Sequence, residues 1–129
     1  MSRNIGQGGD RGDGPGHAWY QVDRMAGCAV VRAAGELDAR TVHEFHDAVT
    51  EAAKLASHVV IDLDGVTFVD SSGLGGLIAA RTSARESGGS VSLVSPPPLV
   101  RRLLGSTRLH DVFAIHESVE EAISAATQR

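Results

Sequence analysis

The chain has 129 residues, 42% hydrophobic and 22% charged, enough for one domain with a buried core. Twelve Lys and Arg against sixteen Asp and Glu leave a net charge of −4, which disfavours general binding to nucleic acid or anionic membrane. No apolar run approaches the roughly 18 residues of a membrane span, and one cysteine, Cys28, cannot build a disulfide framework, so a cytoplasmic globular domain is expected.

Six of the 15 glycines precede His17, interleaved with Arg, Asp and Asn. Such a stretch buries too little to offset the entropy of ordering it. Residues 1–17 are therefore expected to be a flexible tail with no secretory leader, and residues 18–129 the folded domain. From Trp19 onward the hydrophobic period alternates. Residues 19–22 and 28–34 are rich in β-formers around an Ala26-Gly27 turn. Thr41 with Glu44 three residues on reads as a capping box, and Val42, Phe45, Val49 and Ala52 follow at helical spacing to about Ala56. Residues 58–63 form an apolar run of strand length, of the kind covered on both faces. Val66 and Phe68 then alternate with polar neighbours into Asp70.

Leu74, Leu77, Ile78 and Arg81 predict a second helix that stops at Gly88-Gly89. Residues 91–94 read as a strand, and prolines 96–98 open a short helix carrying Val100, Leu103 and Leu104 and ending at Gly105. Residues 113–115 are a last strand, and Ser118 with Glu121 a second capping box ahead of Val119, Ala122, Ile123 and Ala126. The order β-β-α-β-α-β-α-β-α predicts an α/β fold, a mixed sheet of four to five strands flanked by about four helices.

The unusual segment is Asp70-Ser71-Ser72-Gly73-Leu74-Gly75-Gly76, at the junction of a buried strand and a helix. The carboxyl ends of strands in such sheets are where ligands and partners dock. Asp and Ser are preferred N-caps, so helix capping is the simplest role for Asp70, Ser71 and Ser72. The three glycines cost helix propensity, a cost that makes sense where another backbone approaches closely. Hydrolase, dinucleotide and phosphate-loop readings all fail on spacing. Val69 and Asp70, not glycine, stand two residues before the two serines; Gly73-Leu74-Gly75 lacks the third glycine; and no lysine follows. His43 and His46 could share a helix face, but no third ligand follows at metal spacing. No active site, metal or cofactor is expected.

Three stretches taken together resemble the STAS-domain anti-sigma factor antagonists of bacteria. They are Gly35-Glu36-Leu37-Asp38, residues 58–75 ending in Asp-Ser-Ser-Gly-Leu-Gly, and residues 97–104. The resemblance spans residues 19–126. It implies a mixed sheet with helices, and a regulatory protein rather than an enzyme. It implies that the serine after the motif aspartate, here Ser71, is phosphorylated by a partner anti-sigma factor with ATP-dependent serine kinase activity. The unphosphorylated form would bind that partner and free a sigma factor, and a metal-dependent serine phosphatase would reset the switch. Residues 35–38, as a loop, and 70–76 would form the docking face, with Asp38 a partner contact. The alternative within the fold is a STAS subunit that only scaffolds a transport ATPase or a stress-signalling complex.

Overall fold

The computed structural model describes residues 2–6, 18–106, 108 and 113–127. Among the described residues, six strands form one sheet in sequence order: β1 (Ser2–Gly6), β2 (Ala18–Met25), β3 (Cys28–Leu37), β4 (His58–Val69), β5 (Ser90–Val94) and β6 (Ala114–His116). β1, β2 and β3 pair antiparallel, and β3 through β6 pair parallel. Four helices among the described residues, α1 (Val42–Leu55), α2 (Ser71–Glu86), α3 (Pro98–Ser106) and α4 (Val119–Thr127), alternate with the strands from β3 onward. Parallel neighbours require such crossovers. The mixed sheet with four helices is the architecture expected from the sequence.

Strand alternation sorts the core into two layers. Ala29, Val31, Val59, Ile61 and Leu63 face one side, where α1 brings Phe45, Ala48 and Ala52, α2 brings Leu77 and Ala80, and α3 brings Val100 and Leu104. Cys28, Val30, Val60 and Val94 face the other, where α4 lays Val119 and Ala122. Cys28 is thus a small core residue, and burial pushes its thiol pKa up.

Three expectations change. The sheet has one strand more than expected, because Ser2–Gly6, placed in a flexible tail by composition, pairs residue for residue with β2 from Ser2–Asp23 to Gly6–Trp19. Residues 1 and 7–17 of that tail lie outside the described residues. Thr41 does stand at the α1 N-cap, but its side chain makes no cap bond. Its hydroxyl instead donates to the Glu36 carbonyl at 2.7 Å and accepts from the Asp38 N–H at 3.1 Å. Finally, Phe68 does not continue the inward alternation of Val66. The β3–β4 register shifts between Gly35 and Glu36, pairing Gly35 with Val66 but Glu36 with Phe68. That shift leaves Val66 and Val69 buried and Phe68 44% exposed.

Half of the second capping box forms: the Glu121 N–H donates to Ser118 Oγ at 3.1 Å. Its return bond goes to Glu117 N–H rather than to Ser118.

Candidate functional site

The ends of β3 and β4 build the site. Leu37 pairs with Val69, and the Asp70 N–H donates to the Leu37 carbonyl at 3.3 Å. The chain turns into α2 at Asp70, which is extended and whose Oδ1 accepts from the Gly73 N–H at 3.0 Å. Its carbonyl accepts from the Leu74 N–H at 2.9 Å. Asp70 is the cap, as its residue type suggests. A Cβ on Gly73 would lie 2.2 Å from the Leu37 carbonyl oxygen, so only glycine lets α2 start against the end of β3. Gly76 has the same role against α1, where a Cβ would meet Val42 Cγ2 at 2.7 Å. The approaching groups are therefore the protein's own. Gly75 differs: a Cβ there would meet nothing within 4 Å.

Ser71 is exposed and Ser72 half-buried. Both lie in the first turn of α2, where backbone N–H groups lack intrahelical partners and the helix dipole favours negative charge. With Asp70 taking the cap, the Ser71 hydroxyl is left accessible at a position suited to an anion.

Gly35, Glu36 and Leu37 belong to β3 rather than to a loop, because the shifted register carries the pairing on to Leu37–Val69. Asp38 follows directly and is buried, at 4% exposure. Its Oδ1 accepts from the Arg40 N–H at 2.9 Å, its Oδ2 from Arg40 Nη2 at 2.8 Å, and its carbonyl from the Val42 N–H at 2.9 Å. The Arg40 guanidinium holds the Asp38 carboxyl below the usual carboxylate range against the opposing effect of burial. Arg40 also reaches Glu36 Oε1 at 3.2 Å and senses the charge of Asp70. Asp38 thus organises the turn into α1, and the group presented to solvent above it is Arg40, 61% exposed.

The eleven residues singled out from the sequence are brought together, but in layers. Leu37, Asp38 and Gly73 are buried; Gly35, Glu36, Asp70, Ser72, Leu74 and Gly76 are half-buried; Ser71 and Gly75 are exposed. Sequence reasoning missed two neighbours. Arg40 gives no periodic signal, although its spacing from Glu36 and Asp38 suggests pairing. Phe68 alternates with Val66 in the sequence, a pattern that does not mark it as exposed beside the site.

Elsewhere His43 and His46 are exposed on α1, and the His58 ring lies between the hydroxyls of Ser90 and Ser92. Among the described residues no group of three or more His, Cys, Asp and Glu could hold a metal ion. No helix among them is long and apolar enough to cross a membrane.

The sequence pattern of the STAS domain matches residues 20–122. The chain belongs to the STAS domain family. The STAS match covers β2 through the first turn of α4, and so contains the whole Asp38–Asp70 site. Over 106 residues the chain is 28% identical to an anti-sigma F factor antagonist of Paenibacillus polymyxa, covering 81% of this chain and 91% of that protein. It is 31% identical over 99 residues to the anti-sigma-F factor antagonist RsfA of Mycobacterium tuberculosis, covering 74% of this chain and 77% of that one. The crystal structure of an anti-sigma factor antagonist from Mycobacterium paratuberculosis superposes with a TM-score of 0.78 at 27% identity, covering 87% of this chain and 96% of that one.

Proposed function

We propose that this STAS protein is an anti-sigma factor antagonist. It binds an anti-sigma factor with serine kinase activity, so that a sigma factor is freed for transcription, and phosphorylation of Ser71 ends that binding. The observation that carries the reading is the division of labour at the α2 start. Asp70 Oδ1 makes the capping bond at 3.0 Å, while the adjacent Ser71 stays exposed and is not needed to hold the helix. The names of the two sequence relatives support the partner class. The docking face consists of Ser71 and Gly75 with the half-buried Gly35, Glu36, Asp70, Ser72, Leu74 and Gly76, flanked by Arg40 and Phe68. Leu37, Asp38 and Gly73 support it from below.

In the switching step the Ser71 hydroxyl attacks the γ-phosphorus of ATP bound to the kinase. ADP leaves, the hydroxyl proton passes to the kinase, and phosphoserine remains at the helix N-terminus. A metal-dependent serine phosphatase returns the hydroxyl by hydrolysis. On this reading the chain acts as a regulatory substrate in the cytoplasm rather than as an enzyme. Incubation with the cognate anti-sigma kinase and ATP should add one phosphate, and Ser71→Ala should abolish it while Ser72→Ala does not. A phosphate mapped to Ser72, or binding to another STAS protein with no kinase substrate activity, would instead make this chain a scaffold subunit.

A further inference from the structure

Bordering the docking face at Gly76, α1 and α2 flank a trough of about 370 Å³ over the sheet. At one end Gly76 abuts Val42 and Phe45; at the other a Cβ on Gly89 would lie 2.1 Å from the Ser57 carbonyl oxygen. Between these contacts α2 presents only Ala79, Ala80, Ser83 and Ala84 toward α1, so the helices leave space instead of interdigitating. The floor is apolar: Val49, Val59, Ala80 and Val91, each below a tenth exposed. The trough's volume lies within the roughly 300–1,000 Å³ of small-molecule sites.

The charge of the rim selects the ligand. On a chain of net charge −4, no Asp or Glu among the described residues lines the trough; the lining charge among them is Lys54, with His46 as the other titratable group. Lys54 is 71% exposed, and its ion pair with Glu51 is long, at 3.8 Å. Its ammonium is therefore available to a second anion at little cost. We propose that the α1–α2 trough binds a medium-chain aliphatic carboxylate, with the chain along the Val49–Ala80 floor and the carboxylate at Lys54. The site does not depend on the partner-switching reading, and its test needs no partner protein.

Decanoate, titrated into the full chain below its micelle-forming concentration and followed by amide NMR, should give saturable shifts at Ala53, Ala80 and Ala84. Lys54→Met should weaken decanoate about tenfold and leave decanol unchanged, the signature of one carboxylate–ammonium contact. Ser83→Phe, at an exposed lining position, should plug the trough and remove binding of both; Ala79→Leu gives the same test at a second exposed position. Absence of saturable shifts would overturn the proposal, as would equal binding of decanoate, decanol and decyltrimethylammonium, or shifts confined to the α4 face.

Discussion

Gly73 and Gly75 stand two residues apart in α2, yet their surroundings are opposite, and substitution should separate them. Alanine at Gly73 drives a methyl group into the Leu37 carbonyl, a backbone group held in the β3–β4 pairing and unable to give way. Such overpacking should cost about 3 kcal/mol. Alanine at Gly75 meets open space and gains up to about 1 kcal/mol of helix propensity. Denaturant unfolding of the two variants should therefore shift in opposite directions. A Gly75→Ala protein that is more stable but binds the anti-sigma factor poorly would place the partner's surface at that position. Asp38 adds a pH dependence of defined sign. Its carboxyl titrates below the ordinary value because Arg40 binds the ionised form. The associated stability is fully present above the unfolded-state pKa of about 3.9 and is lost as pH falls through the lower folded value. Thermal midpoints measured from pH 6 down to 2.5 should fall less steeply in Asp38→Asn than in the wild type, with the variant already less stable at pH 6.

At the scale of elements, β1 is where sequence and structure part most clearly. Ser-Arg-Asn-Ile-Gly holds one large apolar residue, Ile5, and has no alternation of its own; what makes it a strand is the exposed edge of β2, a tertiary partner that local pattern cannot show. The same limit explains why β3 and β4 run beyond their apolar stretches. Polar and small residues from Ala34 to Leu37 and Asp64 to Thr67 are held by the ladder and its two register shifts, not by propensity. By contrast, α1, α2 and α4 were legible because their apolar faces repeat at helical spacing, and Asp70 because a cap residue precedes its helix by a fixed offset. Thr41 had the correct position, but its hydroxyl bonds the β3 end, a tertiary choice outside the motif. Because β1 covers the β2 edge, deleting residues 1–6 should cost stability despite their glycine-rich setting. The lost ladder bonds, each worth about 1 kcal/mol, are partly offset by the ordering entropy no longer required. A net loss of about 1–2 kcal/mol, a drop of several degrees in Tm, is expected. An unchanged midpoint would show that β1 contributes no net stability.

At the scale of the whole molecule, the helix start suits an added charge without rebuilding the fold, so the proposed switch would act through what the partner meets. Phosphoserine would add about −1.5 to −2 charges where Glu36, Asp38 and Asp70 already outnumber Arg40, the cation that pairs with them among the described residues. One added charge about 6 Å from a partner carboxylate costs about 3 kcal/mol at an effective dielectric near 20, which is about a hundredfold in affinity. Ser71→Asp carries one such charge and, because Asp is tolerated in the first turn of a helix, should cost under about 1 kcal/mol of stability. Its effect on binding should then be electrostatic and therefore screened. The Debye length falls from about 10 Å at 0.1 M salt to about 3 Å at 1 M. The affinity gap between wild type and Ser71→Asp should shrink from about a hundredfold to under about tenfold across that range. Ser71→Asn, matched to Asp in shape but uncharged, should bind nearly as wild type at both salt concentrations. A gap that salt leaves unchanged, with Ser71→Asn as weak as Ser71→Asp, would mean that the partner packs directly on the hydroxyl and that bulk, not charge, breaks the complex.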